Sequence, residues 1–313
     1  MLIAIDHGNS RIKTPLTSFV SGYTKYGTEP PMMAKDVIRF GDSFYALTET
    51  RLPYQFNKTQ TEDFYLLTLF AIAKEITARE AYQPEETEIE LAVGLPPIHY
   101  GFLKKPFTDY LMRGQEPVRF SYNGKPFCVR VTRVLVYPQA YAAIATRLTE
   151  LQGKAYVAVV DIGGFTADTL VLRHGKLDME YCNSLELGII KLYNKAEQKG
   201  IAKFGYKIQP EDVDDILLHR CDLPENIQAL VRDLATNHVI DIIDRLRERD
   251  MDIRAQPVVF VGGGSRILQE SILTGGGLSP KRATFISNGN ANAVGYYTIA
   301  KAMLEQEKRM ARA

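Results

Sequence analysis

Cysteine is scarce in this chain: only Cys128, Cys182 and Cys221 occur, far apart, in 313 residues. They make neither an even disulfide framework nor a C-x-x-C pair of metal-ligand spacing, so small buried thiols in a reducing cytosol are expected. Histidine is nearly as sparse. His7, His99, His174, His219 and His238 are scattered without ligand spacing, which removes the main support for a metal hydrolase. An excess of one charge is also lacking. With 38 basic and 37 acidic residues no global field gathers a phosphate backbone, so direct nucleic-acid binding is not expected. No basic leader and no long apolar run accompany the opening MLIAID, which reads as a soluble, cytoplasmic protein without a membrane partner. The P-loop pattern G-x-x-x-x-G-K-[ST] is missing, as are G-x-G-x-x-G, G-x-S-x-G, H-E-x-x-H and the protein-kinase H-R-D.

What is present is apolar mass and a recurring strand–turn pattern. Hydrophobic types make up 45% of the chain, enough for a substantial core, and the length fits two domains better than one. LIAID (2–6) reads as a buried strand ending in an acid, followed by a tight turn in HGNSRIK. Residues 18–60, rich in Gly, Pro and Tyr with short pieces such as VIRFG and FYALTE, read as a small irregular insertion. A largely buried helix is predicted over 61–79, then strands at ELAVGLP (90–96) and VRVTRVLVYP (129–138), and an Ala-rich helix over 139–151. AYVAVVDIGGFTADTLVL (155–172) returns to strand, turn and strand, so strand-acid-Gly-turn occurs twice, a short sign of internal duplication. Helices are expected at 185–200, 210–219 and 226–249, a strand running through glycines into a helix at 257–268, and a last helix over 292–310. Alternating strands and helices argue an α/β fold with a parallel or mixed sheet.

The candidate chemistry sits in three glycine turns. In Asp6-His7-Gly8-Asn9 and in Asp161-Ile162-Gly163-Gly164-Phe165-Thr166, glycines let backbone N–H groups approach phosphate oxygens, while the strand-end acid can face a metal ion through water. Either acid alone would repel a triphosphate, but Mg²⁺ inverts that repulsion and suits two carboxylates better than a full protein cage. Lys13, seven positions after Asp6, can supply a point charge to the phosphates. Gly262-Gly263-Gly264 follows the strand VVFV and opens a helix, which suits close ligand approach but serves equally as a tight structural turn.

In order and spacing these residues resemble the nucleotide-site segments of the superfamily of actin, sugar kinases and heat-shock chaperone ATPases. The segments are phosphate-1 at IAIDHGNSRIK, connect-1 at VYPQAYAAIA, phosphate-2 at VVDIGGFTADTLVL, adenosine at VFVGGGSRIL and connect-2 at NGNANAVGYYTIA. Within it the chain most resembles the plasmid-segregation actins of the ParM/StbA group. The resemblance implies an actin-like fold, duplicated and ribonuclease H-like, with ATP or GTP and Mg²⁺ in a cleft between domain I (1–154 with 290–313) and domain II (155–289, helical subdomain 185–255). It implies Asp6 and Asp161 around Mg²⁺, Gly8, Asn9, Gly163, Gly164 and Thr166 on the phosphates, and Gly262, Gly263 and Gly264, with Arg266 after them, near the α-phosphate and adenosine. Gln139 stands where the superfamily places an acid or amide facing the γ-phosphate, and there it would orient water; a helix cap is the alternative. Glu186, Gly188 and Lys191 map to the helix lining the nucleotide, with Glu186 equally explained as a helix N-terminal acid. The implied activity is slow nucleotide hydrolysis coupled to head-to-tail filaments of the chain itself, with an adaptor protein on centromere-like DNA, in plasmid or DNA segregation. A monomeric sugar-kinase-like phosphotransferase and a regulatory ATPase are the alternatives.

Overall fold

The computed structural model describes residues 1–151 and 153–311. The chain divides into two compact units, Met1–Thr146 with Asn290–Ala313, and Arg147–Gly289.

The first unit runs β1 (Leu2–His7), β2 (Arg11–Lys13), β3 (Ser18–Val20), β4 (Tyr23–Tyr26), β5 (Val37–Phe40), β6 (Ser43–Leu47), α1 (Asp63–Ala78), β7 (Glu86–Leu95), α2 (Tyr100–Met112), β8 (Val118–Tyr122) and β9 (Lys125–Pro138). Its nine-stranded sheet has the order β3-β2-β1-β7-β9-β8-β5-β6-β4. Side chains alternate across the sheet. Ile3, Ile5, Leu91 and Val93 join α1 and α2 in one core, while Ala4 and Ala92 pack with Tyr296 and Ala300 on the other face.

The segment expected to be an irregular insertion instead closes this sheet. β3 and β4 stand at opposite ends of the strand order, yet only Ser21 and Gly22 separate them in sequence, so the sheet curls until its ends meet. The corner is tight: a Cβ on Gly22 would lie 1.9 Å from the Thr50 carbonyl oxygen. Inside the curl lies α1, buried on every side from Phe64 to Ala73 and exposed only in its last turn at Thr77 and Ala78; even Glu75 is fully buried. That carboxylate is matched by Arg79 at 2.7 Å, the Thr14 hydroxyl at 2.5 Å and the Leu16 amide at 3.3 Å.

The second unit contains α3 (Leu148–Leu151), β10 (Tyr156–Ile162), β11 (Ala167–Arg173), β12 (Lys176–Leu185), α4 (Ile189–Phe204), α5 (Pro210–Leu217), α6 (Glu225–Arg247), β13 (Val258–Val261), α7 (Gly263–Ile267), α8 (Gln269–Thr274) and β14 (Ala283–Phe285). Ala158, Val160 and Ile162 share a core with α4, α5 and α6 on one sheet face. The last helix, α9 (Ala291–Met310), returns to the first unit.

The short sequence echo is a duplication of topology. The order β3-β2-β1-β7-β9 in one unit and β12-β11-β10-β13-β14 in the other are the same design: an antiparallel three-strand meander, then two strands parallel to its first.

Candidate functional site

In the first unit the site grows from the end of β1. Alternation turns His7 toward α1, where its Nε2 meets the Thr68 hydroxyl at 2.8 Å and its ring lies edge-on to Phe107. Burial, with the charge of Lys58, lowers the pKa of His7 to about 3, so it stays neutral. Asp6 falls on the opposite face, buried, directly across from Lys13 on β2. The Gln139 Nε2 donates to Asp6 Oδ1 at 3.0 Å. A carboxylate accepts only from the amide nitrogen, so this bond turns Oε1 of Gln139 toward other partners. Its backbone is held by the Leu95 carbonyl at 2.8 Å, and the next amide by Asn292 Oδ1 at 2.9 Å.

Gln139 caps no helix. Ala140 has φ 60°, a left-handed turn that stops the Ala-rich run from starting as an α-helix; a 3₁₀ stretch follows at Ala142–Arg147, with α3 only after it. Gly8 allows the β1–β2 turn to close, since a Cβ would lie 2.6 Å from the Arg11 carbonyl. The side chain of Asn9 is engaged at both ends by the Gln55 backbone, at 3.1 and 2.9 Å. Its backbone, rather than its amide, is what the turn can offer to a phosphate.

In the second unit Asp161 occupies the matching place on β10, but its cross-strand partner is a second carboxylate, Asp168. Both are buried. Like charges directly opposite, with Cβ atoms roughly 4.5–5.5 Å apart, are destabilising unless a cation or hydrogen-bond donors offset them. Hydroxyl donors reach Asp168: Thr166 at 3.1 Å and Ser184 at 2.5 Å. The hydroxyl of Thr166 is thus spent on Asp168, leaving its oxygen as an acceptor. The Gly163 amide closes the turn on the Thr166 carbonyl, while amides of Gly188, Ile189 and Ile190 dock onto the carbonyls of Phe165, Gly163 and Gly164. Gly188 has no room for a Cβ, which would meet the Gly164 carbonyl at 2.3 Å.

The glycine triplet closes on the same turn. Gly262 has φ 89°, and a Cβ there would lie 2.3 Å from Asp161 Oδ1; Gly264 packs on Ile162. Gly263 faces open space. Thus Asp161, Gly163, Gly164, Thr166, Gly188, Gly262 and Gly264 are brought together. Glu186, Lys191 and Arg266 are exposed around them. The helix expected from residue 185 begins only at Ile189, because β12 runs to Leu185; Glu186 lies outside its first turn. The charge of Arg266 acts on Asp214, whose pKa is nevertheless raised, chiefly by burial, and which accepts from Tyr193 at 2.6 Å.

Sequence reasoning missed Asp168, which stood inside the phosphate-2 segment VVDIGGFTADTLVL, and His238. The imidazole Nε2 of His238 holds the Leu187 carbonyl at 3.1 Å, fixing the approach to α4 from beneath. No group of three or more His, Cys, Asp or Glu among the described residues forms a metal cage. The facing pair Asp161 and Asp168 does fit an ion such as Mg²⁺, which keeps several waters and needs only one or two carboxylates. Among the described residues no helix is long and apolar enough to cross a membrane.

Residues 4–141 match the family described as the N-terminal domain of actin-like proteins, and residues 159–274 the C-terminal part of archaeal MreB-like actin homologues. No curated protein matches the chain in sequence. Among the solved structures that share its fold along nearly its whole length are these three. They are the archaeal actin homologue Ta0583 in complex with ADP (16% identity, TM-score 0.74, 96% of this chain and 99% of that one), the actin-like protein Alp7A (15%, 0.74, 100% and 99%), and a ParM from a 15-stranded Clostridium botulinum filament (20%, 0.70, 96% and 99%). With an actin-like family matching in each unit and the duplicated sheet common to both, this chain belongs to the actin-like proteins.

Proposed function

We propose that the chain is a nucleotide-dependent filament protein that binds ATP or GTP with Mg²⁺, hydrolyses it slowly and works with a DNA-bound adaptor in plasmid or DNA segregation. The observation that carries the nucleotide reading is the pair of like-folded hairpins with unlike charges: Asp6 opposite Lys13 in one unit, Asp161 opposite Asp168 in the other. An ammonium suits phosphate oxygens, and facing carboxylates suit the cation that accompanies them. The ADP complex of the archaeal homologue supports the same ligand class, and the ParM filament supports self-association.

Asp161 and Asp168 would hold Mg²⁺, which when bound offsets phosphate charge. Backbone amides at Gly8 and Gly164 accept the close approach of phosphate oxygens, Gly163, whose own amide closes the turn on Thr166, leaves room for them, and Lys13 adds a positive charge. Gln139, pinned through Nε2 to Asp6, presents Oε1 as an acceptor that orients a water for in-line attack. A neutral amide cannot take the proton, so hydrolysis is slow. Binding acts on assembly by favouring one of two subunit states, and hydrolysis removes that bias.

The test is light scattering and phosphate release recorded together with ATP, GTP, ADP and no nucleotide. Scattering that rises with a triphosphate and decays as phosphate appears is expected. Gln139→Ala should assemble as well as the parent and disassemble more slowly, and Asp161→Ala should lose hydrolysis while remaining folded. A parent that never scatters would remove the filament reading, and an unchanged melting temperature with either triphosphate plus Mg²⁺ would remove the nucleotide reading.

A further inference from the structure

The sheet face that carries α9 continues past the helix onto β9, β8 and β5. There the side chains of the opposite parity, Ile38, Phe120, Tyr122 and Phe127, fill the α1 core, so Arg39, Arg119, Ser121, Pro126 and Cys128 point outward. Cross-strand register aligns them in two rows. Arg39 faces Ser121, which faces Pro126; Arg119 faces Cys128, which faces Glu86. With Gly41 just beyond Arg39, the small residues leave an open depression of about 340 Å³ flanked by the two arginines.

The charges there are unbalanced. Elsewhere on the same face the cations are matched: Arg130 binds Glu86 at 2.6 Å and Arg133 binds Glu307 at 2.7 Å. Arg39 and Arg119 form no ion pair among the described residues; Arg39 lies over the Phe44 ring at 5.6 Å, and Arg119 feels Glu86 only beyond pairing distance. As diagonal neighbours on paired strands their Cα atoms are roughly 7–8 Å apart, close enough for one polyatomic anion to engage both guanidinium groups. A dianion with several oxygens matches two planar forks, and the Ser121 hydroxyl adds a donor between them.

We propose that this depression is a binding site for a small phosphate-bearing molecule, separate from the glycine-turn residues and independent of their reading. Cys128, 6% exposed on its floor, reports occupancy through the little solvent access it keeps. The experiment measures alkylation of each cysteine by mass spectrometry with increasing inorganic phosphate, chloride keeping ionic strength constant, in the parent and in Arg39→Gln/Arg119→Gln. Phosphate should slow modification of Cys128 several-fold in the parent, leave Cys182 and Cys221 unaffected, and do nothing in the double variant. Both arginines are exposed, so the variant should melt at the parent temperature. Equal protection in parent and variant would place the effect elsewhere and overturn the proposal, as would no protection in the parent. A phosphate-dependent rise in melting temperature, present in the parent and smaller in the variant, is the second readout, and equal rises in both would count against the site.

Discussion

Glycine identity separates structural need from ligand need at the triplet. Gly262 is required by its own fold, since alanine would be strained at φ 89° and would strike Asp161. Gly263 has open space where a Cβ would stand and no left-handed φ, and it occupies the first position of α7, so alanine fits there without strain and with less freedom to lose on folding. Gly263→Ala should therefore be at least as stable as the parent yet bind nucleotide more weakly, whereas Gly262→Ala should lose both. Parallel thermal melts and nucleotide titrations distinguish them; unchanged affinity in Gly263→Ala would show that no ligand approaches that surface. The acids and glycines of these turns were legible in the sequence because chemistry and backbone freedom are local properties. The commitments of Asn9 to Gln55 and of Thr166 to Asp168 were not, because a side chain's partner is settled by packing of distant segments.

At the scale of elements, the long strands and helices follow from their apolar patterns, and the predicted helix over 61–79 is α1 with ragged ends. The run after β9 departs from that rule. Its alanines favour helix, but the chain must turn first to carry Gln139 to Asp6 and to hand the Ala140 amide to Asn292, so tertiary contacts override propensity. The left-handed Ala140 costs roughly 1–2 kcal/mol, which glycine would relieve. Ala140→Gly should leave stability within about 0.5 kcal/mol of the parent or raise it, although the site is buried. Ala300→Gly in the buried stripe of α9 should cost at least about 1 kcal/mol. Urea unfolding of the two variants tests this, and equal losses would mean that Ala140 carries no strain.

Over the whole molecule, each unit holds one buried imidazole in the neutral form: His7 at about 3, and His238 at about 4, lowered by burial against the pull of the Leu187 carbonyl. Both folded values lie below the unfolded one of about 6.5, so acid protonates the unfolded chain first. Stability is full above pH 6.5 and falls as pH drops toward the folded values, by about 2 kcal/mol for each imidazole at pH 5. His238→Gln, which keeps a donor for Leu187, should flatten the slope of stability against pH between 6.5 and 5; an unchanged slope would show that this imidazole does not titrate on unfolding. The closure of the nine-stranded sheet was the least legible feature, because β4, β5 and β6 are short and β5 finds its partner, β8, some eighty residues away. That closure also governs the exchange of α1 amides with solvent deuterium. A helix lying on an open sheet exchanges when it lifts or frays, but α1 is enclosed, with one wall tied by two residues to the other. Its central amides, from Leu67 to Ile72, should exchange only when the first unit opens as a whole, at the rate and denaturant dependence of global unfolding, and more slowly than those of α9.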